Sequence, residues 1–231
     1  MTDSRPTYCV IVAAGSGSRF GSDLPKQFCP LGGRPVLMTT IERAAACLPP
    51  GSEIVVVLSE GGVGLWEELC REHRFVSPRT VIGGATRWES VRNAIDSMPQ
   101  GMQLIMVTDG ARPLIEPDVV ARLYQAVEGD SIGAVPAIDL SDSIRQRLES
   151  GETEAADRSR FCAVQTPQLF PAAMLREAYA LPYSPLFTDD ASVEEAFTGR
   201  RVSVVAGSPR TLKITHPADI AVAEFYLRQN G

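Results

Sequence analysis

Short apolar runs alternate along this chain with longer stretches in which apolar residues recur at helical spacing. The apolar runs are Tyr8–Ala13, Glu53–Leu58, Thr80–Ile82, Gln103–Thr108 and Ser131–Pro136, and the helical stretches are Pro35–Cys47, Leu65–His73, Arg87–Met98 and Pro117–Val127. Runs that are apolar throughout are typical of strands buried on both faces. Their alternation with helices predicts an α/β fold with a Rossmann-like, mostly parallel sheet and helices on both faces.

This alternation breaks between Asp139 and Phe170, where the chain becomes polar. Strand-like sequences at Asp142–Leu148 and Phe161–Gln165 flank a Ser-Gly-Glu turn, so we predict an extended β-arm over residues 139–165. A disordered surface loop is the alternative. The elements predicted after the arm are helices at Pro171–Ala180 and Asp189–Phe197, a strand at Arg201–Val205 and a helix at Pro217–Arg228. No linker interrupts the pattern, which predicts one domain over residues 1–231.

The composition argues against some classes of binding partner and cofactor. The 231 residues are 44% hydrophobic and 22% charged, with a net charge of −6, which argues against nonspecific binding to nucleic acid or to an anionic membrane. Five scattered cysteines without a Cys-x-x-Cys pair favour reduced thiols, and two histidines make a histidine-built zinc site improbable. The first residues are polar, and no apolar run approaches the roughly 20 residues that span a bilayer. We therefore expect a cytoplasmic protein.

A glycine-rich segment follows the first predicted strand. It reads Ala-Ala-Gly-Ser-Gly-Ser-Arg-Phe-Gly from Ala13, and Leu-Pro-Lys-Gln-Phe follows from Leu24. A dinucleotide-binding fingerprint requires a glycine where this chain has Phe20, and no Walker lysine follows. Backbone N–H groups in such a turn can bind phosphates. The candidate phosphate-binding residues are Ala13, Ala14, Gly15, Ser16 and Gly17.

Two cations, Arg19 and Lys26, give this loop a more specific chemistry. Attack of a phosphate oxygen on a nucleotide α-phosphate joins two anions, so it needs positioning and positive charge more than a covalent nucleophile. A guanidinium can contact phosphate through two hydrogen bonds, and an ammonium supplies a compact charge. Both residues are therefore candidate catalytic groups; a tight turn with two solvated cations is the alternative.

Two further loops follow predicted strands, and ligands of parallel sheets bind where strands end. In the first loop, the two glycines Gly83 and Gly84 allow a flat base to approach the backbone closely, and Ser90 offers a donor and an acceptor. A simple β-turn before a helix is the alternative. In the second loop, Asp109 could serve a metal or a sugar hydroxyl, and Arg112 could face a phosphate or polyol. A helix-capping aspartate is the alternative.

Lys213 is a single lysine in the apolar stretch Leu212–Thr215. A half-buried ammonium needs an anionic partner, and a substrate phosphate would provide one. A solvated lysine at a strand edge is the alternative.

The glycine-rich loop and the Leu-Pro-Lys-Gln-Phe segment resemble the opening of the 2-C-methyl-D-erythritol 4-phosphate cytidylyltransferases of non-mevalonate isoprenoid synthesis. The resemblance extends from Val10 to Leu227. It implies transfer of CMP from CTP to that polyol phosphate with release of pyrophosphate. It also implies a divalent cation such as Mg²⁺, held largely by the CTP phosphates, and a role for Arg19 and Lys26 in stabilising the transition state. Whether the ion also contacts a residue of the protein stays open on the sequence.

The resemblance implies further nucleotide-binding positions, some of which depart from the family pattern. Gly84, Ala85 and Ser90 match positions that bind cytosine, although Ala85 is Asp in some relatives. The stretch from Thr108 to Arg112 matches a His-Asp-Ala/Gly-Ala-Arg signature with Thr108 in place of the usual His. The nucleotide-binding set thereby gains Asp109 and Gly110.

The acceptor-binding residues that the resemblance implies are Asp109, Arg112, Ser143, Arg158, Thr166 and Lys213. Ser143 stands where Thr is usual, and Thr166 opens a Thr-Pro-Gln sequence. In the family the arm is exchanged within a homodimer, so Ser143 and Arg158 would complete the partner subunit's site. Arg158 and Lys213 would act as catalytic residues that hold the acceptor phosphate.

Three other functions remain open on the sequence. A cytidylyltransferase for another polyol phosphate, such as ribitol 5-phosphate, would share the nucleotide-binding loops and differ only in its acceptor contacts. A nucleotide-binding protein without catalysis would bind CTP and release no pyrophosphate. A dinucleotide-dependent dehydrogenase is disfavoured by Phe20 in the glycine pattern.

Overall fold

Strands and helices alternate through most of the chain, which a computed structural model describes over residues 3–15 and 24–229. The strands are β1 (Thr7–Ala13), β2 (Pro30–Leu31), β3 (Arg34–Pro35), β4 (Glu53–Leu58), β5 (Arg79–Ile82), β6 (Leu104–Asp109), β7 (Ala134–Asp139), β8 (Ile144–Arg147), β9 (Thr153–Ala156), β10 (Cys162–Val164), β11 (Gln168–Pro171) and β12 (Ser203–Ala206). The α-helices are α1 (Val36–Ala45), α2 (Val63–Glu72), α3 (Arg87–Asp96), α4 (Pro117–Ala126), α5 (Ala172–Ala178), α6 (Asp190–Thr198) and α7 (Ala218–Gln229). None of these helices is long and apolar enough to cross a membrane.

The central sheet has eight strands and is mostly parallel, as the alternation of strands and helices predicts. β5, β4, β1 and β6 are parallel neighbours in that order, and β12 pairs parallel with β7. β11 lies antiparallel between β6 and β7, and β10 is also antiparallel to β7. The antiparallel insertion joins two parallel parts into one sheet.

Alternate side chains of β1 enter two hydrophobic cores, one on each face of the sheet. Cys9 and Ile11 belong to a cluster with residues of α1, α2 and α4, while Tyr8 and Val10 belong to a cluster with residues of α3, α5 and α6. Side chains of a strand alternate between faces, so a strand covered on both sides must be apolar at every position. This burial explains why β1, β4 and β6 are recognisable in the sequence.

The two strands predicted for the arm, Asp142–Leu148 and Phe161–Gln165, do not pair with each other. β8 pairs with β9 in a separate two-stranded hairpin in which Ile144 is opposite Ala156. The predicted returning strand, observed as β10, instead pairs with β7 in the central sheet, with Cys162 opposite Asp139. Asp142 and Ser143 are exposed and precede the hairpin. The β8–β9 hairpin is therefore separate from the central sheet, whereas the returning strand β10 is part of it.

Candidate functional site

Three loops meet at the carboxyl edge of the parallel strands because the strand register aligns their ends. Ala13 at the end of β1 is opposite Leu58 of β4, and Val12 is opposite Asp109, the last residue of β6. The Gly83 N–H then donates to the Leu58 carbonyl (2.8 Å), and the Gly110 N–H donates to the Val12 carbonyl (2.8 Å). These bonds continue the strand pairing into the loops, so the predicted loops lie side by side.

A cavity of about 400 Å³ opens between these loops. It is lined by Val12, Ala13, Ala14, Gly15, Lys26, Gln27, Gly84, Ala85, Thr86, Arg87, Ser90, Asp109, Ala111 and Lys213. Most described members of the predicted nucleotide-binding set are among these residues. We call it the nucleotide cavity.

Arg19, Ser16 and Gly17 lie outside the described residues, so their predicted roles stay predictions. The segment that follows them is tied to β1 by Gln27, whose side-chain N–H donates to the Ala13 carbonyl (2.7 Å) and the Gly15 carbonyl (3.3 Å). Gln27 is buried, and its neighbour Lys26 lines the nucleotide cavity. Gln27 thus fixes the segment that carries Lys26.

A capped helix organises the second loop. Thr86 is the N-cap of α3: its hydroxyl accepts from the Glu89 N–H (3.0 Å), and the Glu89 carboxylate accepts from the Thr86 N–H (2.8 Å). Ser90 is 2% exposed, and its hydroxyl donates to the Thr86 carbonyl (2.9 Å) and accepts from the Gly84 N–H (3.1 Å). The predicted cytosine-binding hydroxyl therefore also stabilises the loop.

Glycines in these loops allow close packing of the backbone. A Cβ atom at Gly84 would lie 2.3 Å from the Cβ of Glu89, and one at Gly83 would lie 2.6 Å from the Cβ of Ala14. A Cβ at Gly110 would lie 2.9 Å from the Cβ of Ala13. Real Cβ atoms do not approach so closely. Gly110 is not among the residues that line the nucleotide cavity, so the structure gives it a packing role.

Asp109 lies at the centre of a cluster of three cations. Its Oδ2 is 2.9 Å from Lys213 Nζ and 3.3 Å from Arg112 Nε, and its Oδ1 is 3.9 Å from Arg87 Nε. Arg112 also donates to the Thr211 carbonyl (2.7 Å). Asp109, Arg112 and Lys213 were predicted as site residues from the sequence, and the structure brings their side chains together.

Burial opposes ionisation of Asp109, but Lys213, Arg87 and Arg112 outweigh it and lower the pKa of this carboxyl to about 2. Asp109 is therefore an anion at neutral pH. Burial lowers the pKa of Arg112, although Asp109 favours its charged form. The cluster carries more positive than negative charge, which suits it to bind phosphate.

A second cavity of about 320 Å³ adjoins the nucleotide cavity. It is lined by Arg87, Asp109, Arg112, Val164, Gln165, Thr166, Gln168, Thr188, Asp189 and Lys213, so the two cavities share Arg87, Asp109 and Lys213. The predicted acceptor residues Asp109, Arg112, Thr166 and Lys213 all line it. We call it the acceptor cavity.

Several polar side chains of the acceptor cavity are engaged within the protein. Gln165 exchanges two hydrogen bonds with the Ser208 backbone, at 2.8 and 3.1 Å. The Thr166 hydroxyl accepts from the Asp109 N–H (3.1 Å) and lies 3.2 Å from the Thr108 hydroxyl. Thr108, where the resemblance expects His, is fully buried. The substitution thus produces a pair of hydroxyls beneath Asp109.

Ser143 and Arg158 lie on the arm segment and are exposed. The Arg158 guanidinium donates to the Ser141 carbonyl of the same chain. Neither residue is among those that line the two cavities of this chain. Their predicted action in a partner subunit's site stays a prediction.

Asp109 is the one carboxylate among the described residues that line the nucleotide cavity. No group of three or more histidine, cysteine, aspartate or glutamate side chains that could hold a metal is found within residues 3–15 and 24–229. Mg²⁺ is commonly held by substrate phosphates with only one or two carboxylates. The donor set therefore fits an ion that reaches the site with the nucleotide.

Gln27, Arg87 and Asp190 belong to the site but were not predicted from the sequence. Arg87 donates two hydrogen bonds to the Asp190 carboxylate, at 3.0 and 2.6 Å, and this pair joins α3 to α6. Gln27 was visible in the Pro-Lys-Gln sequence, and the Thr-x-x-Glu pattern at Thr86 marks a capping box that places Arg87 at the first helical position. The Arg87–Asp190 contact has no local signal in the sequence.

A mostly parallel α/β sheet with two adjoining cavities at its carboxyl edge, a glycine-rich sequence after its first strand and a cationic cluster between the cavities is the arrangement expected of a nucleotidyltransferase. The family model described as IspD, 2-C-methyl-D-erythritol 4-phosphate cytidylyltransferase, matches residues 7–229. The chain belongs to this family.

Individual relatives agree with the family model. The chain is 44% identical over 222 residues to the 2-C-methyl-D-erythritol 4-phosphate cytidylyltransferase of Porphyromonas gingivalis, covering 95% of this chain and 97% of that one. It is 41% identical over 220 residues to the Bacteroides fragilis enzyme of the same name, covering 94% and 98%. The crystal structure of the Thermus thermophilus enzyme of that name is 30% identical, with a TM-score of 0.72 and coverage of 99% and 100%.

Proposed function

We propose that this chain catalyses the reaction of its family in the two cavities that meet at Asp109. The reaction transfers CMP from CTP to 2-C-methyl-D-erythritol 4-phosphate. The products are 4-diphosphocytidyl-2-C-methyl-D-erythritol, an isoprenoid precursor, and pyrophosphate.

One observation carries the proposal for the site: the nucleotide and acceptor cavities share Arg87, Asp109 and Lys213. A nucleotidyl transfer needs the acceptor phosphate and the nucleotide α-phosphate in contact. Two cavities that share a cationic cluster provide such a meeting point. The α-phosphate would lie at this junction.

The nucleotide cavity would hold CTP between the first two loops. The cytosine would lie against Gly84, Ala85 and Ser90, where the backbone offers donors and acceptors. The triphosphate would lie against the backbone from Ala13 to Gly15 and beside Lys26. Ser16, Gly17 and Arg19 keep their proposed phosphate-binding roles from the sequence.

In the chemical step, a phosphate oxygen of the acceptor attacks the α-phosphorus of CTP in line. A new P–O bond forms, the bond from the α-phosphorus to the bridging oxygen breaks, and pyrophosphate leaves with that oxygen. Lys26 and Arg19 would stabilise the negative charge that gathers around the α-phosphorus, because fixed cations favour this transition state. No side chain needs to form a covalent intermediate.

The acceptor cavity would hold the polyol phosphate through Asp109, Arg112, Thr166 and Lys213. Lys213 would bind the acceptor phosphate, and Asp109, as an anion, would accept hydrogen bonds from polyol hydroxyls. Mg²⁺, when bound to CTP, neutralises phosphate charge and favours departure of pyrophosphate.

We also propose a homodimer in which the arm of one subunit, residues 139–165, reaches the acceptor cavity of the other. The exposed position of Ser143 and Arg158, outside the cavities of their own chain, supports this arrangement. A cytoplasmic location is proposed from the five scattered cysteines, which form no disulfide bond and are typical of a reducing compartment.

A pyrophosphate-release assay with CTP, Mg²⁺ and either 2-C-methyl-D-erythritol 4-phosphate or ribitol 5-phosphate tests the function. We expect release that depends on CTP and on the methylerythritol acceptor. Faster turnover with ribitol 5-phosphate would replace the acceptor, and CTP binding without release of pyrophosphate with either acceptor would overturn the catalytic proposal. Matched reactions with ATP, GTP and UTP measure selectivity for the base.

A further inference from the structure

A chain of buried polar contacts leads from the core to Asp109. The Tyr179 hydroxyl donates to Asp190 Oδ1 (2.6 Å), and Asp190 accepts two hydrogen bonds from Arg87. The Arg87 Nε in turn lies 3.9 Å from Asp109 Oδ1. The contacts therefore join α5, α6 and α3 to the end of β6.

We infer that Arg87 is a positioning residue for Asp109 in the transfer reaction, and that the buried pair of Asp190 and Tyr179 holds Arg87 in place. The inference rests on the proposed acceptor cavity, which Arg87 and Asp109 both line.

Burial indicates that Arg87 is held rigidly. Asp190 is fully buried and Tyr179 is 2% exposed, while the Arg87 side chain is 30% exposed and reaches both cavities. A guanidinium bound through two parallel hydrogen bonds to a carboxylate has a fixed plane and direction. The Tyr179 ring also stacks on Trp88, the residue after Arg87, with centroids 5.8 Å apart.

The two oxygens of Asp109 face different cations. Lys213 and Arg112 contact Oδ2, and Arg87 faces Oδ1. Lys213 would also bind the acceptor phosphate, so its contact with Asp109 must compete with substrate. Arg87 is already occupied by Asp190, and its attraction for Oδ1 persists when Lys213 turns to the substrate. Arg87 therefore keeps the Asp109 carboxylate oriented during the reaction.

Four variants test this role. Arg87→Gln removes the cation, Asp190→Asn removes the buried anion, the double variant removes both, and Arg87→Lys keeps a charge without the two-pronged contact. The exposed pair of Arg34 and Glu42, with two hydrogen bonds of 3.0 and 2.9 Å, offers Glu42→Gln as a matched control that breaks an ion pair outside the cavities.

The measurement is kcat and KM for the methylerythritol acceptor at saturating CTP, with the Kd for CTP measured separately without acceptor. We expect Arg87→Gln to lower kcat/KM for the acceptor at least about tenfold, the loss of one contact to a charged group, with the Kd for CTP changed less than about threefold. Arg87→Lys should recover part of the loss, and Glu42→Gln should match wild type.

Comparison of the single and double variants distinguishes a positioning role of Arg87 and Asp190 from a general loss of stability. If Asp190 acts through Arg87, the double variant loses about as much acceptor kcat/KM as Arg87→Gln alone, so the two losses do not add. Additive losses, or folded Arg87→Gln with unchanged acceptor kinetics, would overturn the inference. If Arg87→Gln does not fold, the double variant, which leaves no unpaired buried charge, is compared with wild type instead: a loss of about tenfold or more in acceptor kcat/KM supports the inference, and unchanged acceptor kinetics overturn it. A wild-type protein that uses neither acceptor nor CTP would instead refute the proposed function.

Discussion

Lys213 Nζ lies 2.9 Å from Asp109 Oδ2, although the two residues come from the segment before α7 and from the end of β6. Backbone contacts hold these segments together: the Ile214 N–H donates to the Ala111 carbonyl (2.8 Å), and Arg112 donates to the Thr211 carbonyl (2.7 Å). Ile214 is also fully buried. The ammonium is therefore placed by the fold before any substrate binds.

Replacement of Lys213 by Met should mainly harm use of the acceptor. Met keeps the aliphatic stem and removes the charge that we propose binds the acceptor phosphate. We expect the acceptor KM to rise about 10- to 100-fold, as for loss of a charged phosphate contact. Steady-state kinetics at saturating CTP check this. A normal acceptor KM in a folded variant would remove Lys213 from the acceptor site.

Replacement of Lys26 should mainly lower kcat and have less effect on CTP binding. We expect Lys26→Ala to lower kcat about 100-fold or more while the Kd for CTP changes much less, because its charge is proposed to act in the transition state. Arg71→Ala, which removes an exposed cation on α2, is the control. A loss of CTP affinity with kcat unchanged would assign Lys26 to ground-state binding instead.

The chain has two lysines, Lys26 and Lys213, and both line the nucleotide cavity. All other fixed cations among its 22 basic residues are arginines. This count is visible in the sequence and marks both residues without knowledge of the family. Their convergence on one cavity is visible only in the structure, which also places Arg87 in that cavity.

The central strands were readable because burial on both faces makes most positions of β1, β4 and β6 apolar. β11 was not recognisable in the sequence, because it is only four residues long, begins with Gln168 and ends with Pro171. Its place between β6 and β7 depends on antiparallel pairing with both neighbours, which no local pattern reveals. The sequence therefore predicted the parallel part of the sheet better than its antiparallel insertion.

The candidate site shows the same division. Asp109 and Lys26 follow strands and loops whose type is visible locally, so their convergence could be predicted from topology. The contact of Arg87 with Asp190 depends on how α6 packs against α3, and the two residues have no shared motif. Long-range ion pairs of this kind require the tertiary structure.

The exchanged arm predicts complementation between inactive variants. If Arg158 acts in the partner's site, a mixed dimer of Lys26→Ala and Arg158→Ala chains contains one site with both residues intact. Random mixing of equal amounts then restores about a quarter of wild-type activity, since half of the dimers are mixed and each has one active site. Pyrophosphate release after unfolding and refolding of the mixture measures this.

The control for this experiment mixes Arg158→Ala with the double variant Lys26→Ala/Arg158→Ala, which leaves no complete site in any dimer. Activity should stay at background there. If mixed dimers form and activity still does not return in the first mixture, Arg158 acts within its own chain.

We expect Val164 to distinguish the methylerythritol acceptor from polyol phosphates that lack a methyl branch. It is the one aliphatic side chain among the described residues that line the acceptor cavity, and it is 42% exposed. Contact with the 2-C-methyl group would favour the methylerythritol acceptor over erythritol 4-phosphate by roughly fourfold, the effect of burying one methyl group.

Val164→Thr keeps the shape and makes one branch polar, so we expect this preference to shrink. The quantity measured is the ratio of kcat/KM for the two acceptors. Val204→Thr, on β12 and 59% exposed in wild type, is a matched control outside the cavity. A ratio that is the same in Val164→Thr and wild type would show that the methyl group is recognised elsewhere.

Glu194 makes the free energy of unfolding depend on pH. It is a fully buried residue of α6, and neither carboxyl oxygen has a hydrogen-bond partner among the residues that the structure describes. Burial, with a smaller contribution from Glu177, raises the pKa of Glu194 to about 7 from the ordinary 4.5. Between these values the folded chain binds more protons than the unfolded one, so the free energy of unfolding falls as pH rises.

Glu194→Gln removes this dependence because its side chain does not ionise. Relative to wild type, the variant should gain up to about 3 kcal/mol in free energy of unfolding between pH 4 and pH 8, the amount that a pKa difference of this size represents. Urea unfolding at both pH values measures the gain, with Glu68→Gln on the exposed face of α2 as the control. A difference between variant and wild type that is the same at both pH values would mean that Glu194 is paired or hydrated in solution.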